Sequence, residues 1–364
     1  IELTQNHIYL PVQLAAGRTS WFVLDTGADA TAIDAGHAKE LGLAGSGGLE
    51  ASGTGESTIE AQLIAKPPLR IAGLQMPLDT MYAVSIRAIW PRGGRAMEGI
   101  LGHDVLSHFV VEIDYAASRV RLHDPERFTA PTGATAFPFT YEGNVPAIRA
   151  GFELPGGRRV EGRMIVDTGN SGGIDLYGPF IEANGVRAAI GRTIEGAGGM
   201  GVGGVAKQDV GRIAAFHLGP FALKSPIVTL SRDAKGSAAH PELAGNLGGR
   251  VLRRFRVFVD YANDRILLEP NKTLHEPFEY DMSGLALVAE GEQFERMLVR
   301  RVQPETPGAA AGFRDGDQIL TINGRKVTLQ EARKLFAAAG KKYKVRVRRG
   351  TGDVTLKLTT RRMI

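Results

Sequence analysis

The sequence predicts a mainly β protein, with two duplicated β lobes expected to be related by pseudo-two-fold symmetry and a small α+β domain after them. Three observations carry this expectation. An apolar run ending in Asp-Thr-Gly occurs twice, a second segment is echoed downstream of each copy, and residues 280–364 switch to strands arranged around one helix.

The first run is Phe22-Val23-Leu24-Asp25-Thr26-Gly27 and the second Met164-Ile165-Val166-Asp167-Thr168-Gly169. A carboxylate at the tip of a buried strand is costly unless something uses it. The echo runs from Gly99-Ile100-Leu101-Gly102 to Phe109 and reappears from Gly245-Asn246-Leu247-Gly248 to Phe255. It continues through Asp114-Tyr115-Ala116 and Asp260-Tyr261-Ala262, with Arg119 matched by Arg265 and Leu122 by Leu268. The echoed segments lie 146 residues apart and the Asp-Thr-Gly motifs 142. A few inserted residues account for the difference, and an internal duplication for the rest.

Strand patterns fall at 8–14, 20–24, 59–64, 110–114 and 120–123 in the first half, and at 163–167, 210–218, 257–260 and 265–269 in the second. Short helices fit 35–41, 104–108 and 178–184. Pro131 and Gly133 interrupt the strand pattern and set a boundary near 129–136, with another near 271–277. The expected domains are therefore 1–130, 131–275 and 280–364. In the last, a strand over 297–302 precedes a turn-rich stretch. Thr328 can then cap a helix from 329 to about 339, with Glu331 as its capping-box partner and Gly340 as the stop, before strands at 342–348 and 354–358.

A hydrophobic fraction of 43% over 364 residues is ample for two or three packed cores. No stretch approaches the roughly 18 consecutive apolar residues of a membrane span. The opening residues read as a strand and not as a signal peptide, as in a processed chain. The absence of cysteine excludes a disulfide framework, a thiol nucleophile and a cysteine metal site without fixing a compartment. Residues 285–364 hold 17 Lys/Arg against 8 Asp/Glu, while the preceding chain holds 27 against 31. Arg346 and Arg348 alternate with valines and Arg361-Arg362 lie near the end, a pattern that fits either a solvated strand face or weak contact with an anionic membrane surface. No aromatic stacking module for nucleic acid is present. His103, His108 and His217 lack metal-ligand spacing, and no nucleophile elbow or phosphate loop occurs, so neither metal nor cofactor is expected. Gly196, Gly198 and Gly201 fit a dinucleotide fingerprint, but without its strand-turn-helix context.

Asp25-Thr26-Gly27-Ala28-Asp29-Ala30-Thr31 resembles the motif of retroviral aspartic proteases, and Ile100-Leu101-Gly102 and Leu247-Gly248 resemble the apolar-Gly element beneath each of their catalytic loops. Over roughly residues 1–270 the chain thus resembles the retropepsin-like (pepsin-type) acid proteases, with two fused lobes on one chain. The resemblance implies that Asp25 and Asp167 form a catalytic dyad sharing one proton and titrating as a pair. One member would activate a water and the other donate to the substrate carbonyl. It implies bracing by Thr26 and Thr168, with close backbone approach at Gly27 and Gly169. Ser52-Gly53-Thr54-Gly55 and the glycine-rich stretch 196–204 stand where flaps belong, which makes Gly53, Gly55, Gly198, Gly199 and Gly201 candidates for covering substrate. Asp29 resembles a substrate-backbone contact of the retroviral enzymes, which implies substrate binding there, with Ser171 at the matching place in the second half. Asp114 and Asp260 read as turn residues at strand ends.

Pro304 to Phe313, with Gly316-Asp317-Gln318-Ile319-Leu320-Thr321-Ile322-Asn323-Gly324, resembles a PDZ domain. Gly284-Leu285-Ala286-Leu287 stands in the place of the loop that binds a peptide carboxylate, with Ala where Gly is usual. Gly284, Leu285, Leu287 and Leu335 are accordingly expected to line a groove for a C-terminal or extended peptide. The leading expectation is an aspartic endopeptidase acting on protein or peptide substrates, recruited or regulated through the PDZ domain. A catalytically inactive peptide-binding scaffold and an enzyme locked by its own PDZ domain are the alternatives. By analogy, the combination points to a bacterial periplasmic, secreted or cell-envelope setting.

Overall fold

The computed structural model describes residues 1–15, 17–51, 55–89, 94–196, 199–201, 204–291 and 293–364. They divide into two compact units. One comprises Ile1–Ile89, Met97–Gly191 and Gly198–Pro277, the other Trp90–Ala96, Arg192–Ala197 and Phe278–Ile364.

The first unit is β-rich, and its two halves repeat one local arrangement. Arg18–Leu24 runs parallel to Gly99–Leu101, with Val23 opposite Ile100, and Gly99–Leu101 runs antiparallel to Ala32–Asp34. In the second half, Arg159–Val166 runs parallel to Leu243–Leu247, which runs antiparallel to Ile174–Leu176. Phe22, Val23 and Leu24 are all buried, as are Met164, Ile165 and Val166. Continuous apolar runs of this kind suit strands covered on both faces. They explain why each run can hold a polar loop at its end.

Strands from the two halves also share one sheet. Val110–Asp114 pairs antiparallel with Phe255–Asp260, and each pairs on its other side with the strand that follows it in sequence, Arg119–His123 or Arg265–Pro270. Buried Glu112 lies in this sheet, where Arg256 donates to it at 2.8 and 3.0 Å and His123 lies 2.6 Å away. Among the described residues no helix is long and apolar enough to cross a membrane.

Some element boundaries differ from expectation. The single strand expected over 210–218 is two, Gln208–Arg212 and Ala215–Leu218. The chain changes partner between them: Gln208–Arg212 pairs with Ile227–Ser231, Ala214 N–H donates to Glu153 O at 2.8 Å, and Ala215–Leu218 then joins Val145–Glu153. The boundary placed at 129–136 contains the start of Thr135–Glu142, which pairs with Val145–Glu153 across a turn at Gly143-Asn144.

The second unit holds a five-stranded antiparallel sheet of Leu285–Glu290, Arg296–Val302, Gln318–Ile322, Lys342–Arg349 and Gly352–Thr359, paired in sequence order. The helix Leu329–Phe336 packs on it through Leu329, Ala332 and Phe336. It ends earlier than expected: Gly340 lies beyond the helix, and its N–H bonds Thr360 O at 2.9 Å. Arg346 and Arg348 both pair with Asp353, and Arg349 pairs with Asp317, so much of the alternating basic pattern is neutralised within the sheet.

Thr328 accepts from Glu331 N–H, and the Glu331 carboxylate accepts from Thr328 N–H at 2.7 Å, a complete capping box. Thr328→Ala is expected to destabilise the second unit by about 1 kcal/mol in chemical denaturation, whereas Thr328→Ser leaves it near wild type.

Candidate active site

Each Asp-Thr-Gly loop is fixed first within its own half. Asp25 N–H donates to Leu101 O at 3.0 Å, and Asp167 N–H donates to Leu247 O at 3.0 Å. The two loops then bond to each other reciprocally. Thr26 N–H donates to Thr168 Oγ1 and Thr168 N–H to Thr26 Oγ1, both at 3.1 Å. The Thr26 hydroxyl donates to Val166 O at 2.6 Å, and the Thr168 hydroxyl to Leu24 O at 2.7 Å. Both threonines are buried, so these four bonds satisfy donors and acceptors that water cannot reach.

The glycines allow the carboxylates to meet. A Cβ on Gly27 would lie 2.4 Å from Asp167 Cγ, and one on Gly169 would lie 2.2 Å from Asp25 Cγ. Any side chain at either position would occupy the place of the opposite aspartate. The Asp25 and Asp167 carboxyl groups are hydrogen-bonded to each other. Burial, and after it the charge of Asp167, holds the Asp25 carboxyl well above the usual carboxylate range. Burial also raises Asp167, opposed by bonds from Asn246, Asp25 and Asn170. Two adjacent buried carboxyls of this kind retain one proton between them.

Turns from the start of each half brace the loop of the other. His7 Nε2 lies 2.9 Å from Gly169 O, and Asn6 Nδ2 donates to Ser171 O at 2.9 Å. Asn144 N–H donates to Asp29 Oδ1 at 2.8 Å. Burial lowers the His7 imidazole to about 4, so it stands neutral beside the loop at ordinary pH. The hydroxyls of Tyr115 and Tyr261 are buried without a hydrogen-bond partner among the described residues. Burial first raises both, and the charge of Asp167 acts on Tyr115 and that of Asp25 on Tyr261. Asp114 accepts from Ala117 N–H, while buried Asp260 accepts from Asn263 and Arg265.

Of the flap residues, Gly53 and Gly198 lie outside the described residues. Gly55 follows the hairpin arm Ser46–Ala51, which pairs with Ile59–Ala65. Gly199 precedes Met200–Gly201, which pairs with Gly204–Val205. Glu56, next to Gly55, accepts from Lys207 Nζ at 2.7 Å and from Ala234 N–H at 2.8 Å, so the base of the first hairpin is tied to the second half.

The groove residues fall in the second unit. Leu285 and Leu287 point into its core, and Leu335 packs against that core from the helix. Gly284 has φ 75°, and a Cβ there would lie 2.2 Å from Thr306 Oγ1. Asp281 accepts from the N–H groups of Ser283 and Gly284, and Ser283 Oγ accepts from Leu285 N–H. The loop that would hold a peptide carboxylate thus already spends these donors on its own side chains. Arg333 Nη2 donates to Leu287 O at 2.9 Å, and a Cβ on Gly94 would lie 3.7 Å from Leu329 and 3.9 Å from Ala289, between the helix and Leu285–Glu290.

Sequence patterning missed Asn246, Asn170 and Asp175, which form a polar chain reaching Asp167. A signal for them was present: Asn246 stands in the echoed segment where the first half has Ile100. Among the described residues no group of three or more His, Asp and Glu could hold a metal ion.

Comparison with known proteins places a match to the aspartyl protease family model at residues 10–105 and a match to the PDZ domain model at 298–349. No curated protein sequence matches the chain. Among solved structures it is similar to the PDZ domain of HtrA3 bound to a phage-derived ligand, at 23% identity and TM-score 0.20, over 22% of this chain and 83% of that one. It is also similar to the photosystem II D1 C-terminal processing protease, at 25% identity and TM-score 0.21, over 22% of this chain and 23% of that one. The chain carries an aspartyl protease domain and a C-terminal PDZ domain.

Thr26→Ala and Thr168→Ala each remove a buried hydroxyl and strand an N–H and a carbonyl in the opposite loop. Each is expected to cost roughly 1–3 kcal/mol in chemical denaturation, with a coupling of at least about 0.5 kcal/mol in the double variant. Thr→Ser at either position keeps the bonds and most of the stability.

Proposed function

We propose that this chain is an aspartic endopeptidase in which Asp25 and Asp167 hydrolyse a peptide bond through an activated water, with the PDZ domain governing access of protein substrates. The observation that carries the reading is the reciprocal bonding of the two Asp-Thr-Gly loops, which leaves two buried carboxyls in contact with one proton between them. In the proposed reaction the ionised carboxylate takes a proton from water as its oxygen attacks the scissile carbonyl carbon, and the protonated carboxyl donates to the carbonyl oxygen. Collapse of the resulting tetrahedral diol breaks the C–N bond, the proton gained from water passes to the leaving amine, and one diol hydroxyl returns its proton to the other carboxylate as the product carboxyl forms. The Gly-rich hairpins of the two halves would lie over an extended chain in the cleft.

A second reading, an enzyme held in check by its own PDZ domain, is favoured by the groove between Leu285–Glu290 and Leu329–Phe336. Gly94 already lies against Leu329 and Ala289 there, and the donors of Ser283, Gly284 and Leu285 are engaged. A groove in that state suits competition by an extended peptide segment better than capture of a free carboxylate.

The test is cleavage of a mixed, unstructured peptide library between about pH 3 and 8. Asp25→Asn and Asp167→Asn are each expected to lower cleavage by at least about 100-fold. Activity surviving either substitution would rule out the dyad. Removal of residues after Pro277 raises cleavage if the PDZ domain restrains the enzyme and leaves or lowers it if the domain only recruits substrate.

A further inference from the structure

The two carboxyls of the site do not have equivalent surroundings. Leu243–Leu247 lies between Arg159–Val166 and Ile174–Leu176, and its register sets Asn246 beside Ile165 on one side and opposite Asp175 on the other. Asn246 Nδ2 donates to Asp167 Oδ2 at 2.5 Å. Asn170 Nδ2 donates to Asn246 Oδ1 at 3.2 Å and to Asp175 Oδ2 at 2.6 Å. Gly172 N–H donates to Asn170 Oδ1 at 2.7 Å.

That last bond sets the direction of the chain. A backbone N–H can only donate, so the Asn170 oxygen must face Gly172 and its NH₂ must face Asn246. Asn246 must then present its oxygen to Asn170 and its NH₂ to Asp167. Asp175 Oδ2, on a carboxyl bonded also to Thr229, accepts from Asn170 and holds it in the same sense. The first half has apolar residues at the matching places. Ala28 follows Asp25 by three positions, as Asn170 follows Asp167, while Ile100 stands opposite Ala32 as Asn246 stands opposite Asp175. Asp25 accepts from the N–H groups of Gly27 and Gly169. Asp167 accepts from those of Asn170 and Gly169 and, in addition, from Asn246.

We propose that the Asp175–Asn170–Asn246 chain keeps the dyad's proton on Asp25, making Asp25 the general acid and Asp167 the general base, with Asn246 as the positioning residue. The proposal rests on the hydrolytic reading for the roles and on the hydrogen-bond geometry alone for the placement of the proton. A donor fixed on Asp167 Oδ2 stabilises the ionised form of that carboxyl, and among the described residues no side-chain amide acts on Asp25 in the same way. The other titratable groups facing the pair do not reverse this. His7 is neutral, Tyr115, Tyr177 and Tyr261 are held protonated by burial, and Asp175 is itself raised by burial and by the charge of Asp167, opposed by its bonds from Asn170 and Thr229 and by the charge of Arg250. The Tyr177 hydroxyl hydrogen-bonds with Ser237 and Asn246, which adds to the fixing of the amide.

The experiment follows the aspartate carboxyl carbons of the full chain by ¹³C NMR between about pH 3 and 8, with Asp25→Asn and Asp167→Asn assigning the signals. The lower of two coupled steps is expected on Asp167, and Asn246→Leu is expected to raise that step by about one pH unit. The acidic limb of the cleavage profile should move with it. Asn170→Ala, which leaves Asn246 in place but frees its orientation, should give a smaller shift in the same direction and covers the case of a poorly folded Asn246 variant. A lower step on Asp25, or a step unmoved in both variants, overturns the proposal. Cleavage and titration separate the two claims: coupled steps with Asp167 ionising first support the assignment even in a chain that cleaves nothing, and evenly divided steps overturn it even in an active one.

Discussion

The four hydrogen bonds that Thr26 and Thr168 exchange across the two loops are the interaction on which the site depends. They link backbone groups that would otherwise be buried and unpaired, and they set the separation at which Gly27 and Gly169 touch the opposite aspartates. Carboxyl groups brought this close out of water cannot both ionise. The loops therefore do more than position two side chains. They impose a proton on the pair, and the acid and base roles proposed for Asp25 and Asp167 rest on that proton.

Around this repeated centre the halves diverge. The first ties Thr31 to Asp104, which accepts from its N–H and hydroxyl, and its loop meets Asn144 through Asp29. The second replaces that brace with the Asn170, Asp175 and Asn246 chain and receives Asn6 and His7 from the first half. A single chain permits this, because each half can change without changing the other. A site assembled from two identical chains would carry every such change twice.

Much of the arrangement was legible in the sequence, for a physical reason. Asp25 and Asp167 end apolar runs that only buried strands tolerate, and Ile100-Leu101 and Leu247 belong to the strands that bond to those loops, with Gly102 and Gly248 just past their ends. The helix after Thr328 was legible from its cap. The partner switch at Ile213-Ala214 was not, because the apolar pattern continues across it while the hydrogen bonds change strands. Asp175 was not legible either: its role appears only when the register of Ile174–Leu176 sets it opposite Asn246. The engagement of the 283–285 donors by Asp281 and Ser283 likewise depends on loop geometry. Burial raises Asp281 to about 6 there.

The central claim, a proton held between Asp25 and Asp167 by burial and proximity, is tested most directly by unfolding free energy against pH for the wild type and Asp25→Asn. Above about pH 4 the unfolded carboxyls are ionised while the folded pair still binds a proton, so the folded state holds more protons and stability falls as pH rises. His7 acts in the opposite sense, since its folded value of about 4 lies below its unfolded one and its contribution is lost as pH falls, but it is common to both proteins and cancels in the difference. The account predicts that Asp25→Asn gains on the wild type as pH rises from about 4 towards 8, by up to about 1.4 kcal/mol per pH unit. A difference that stays constant with pH would contradict it.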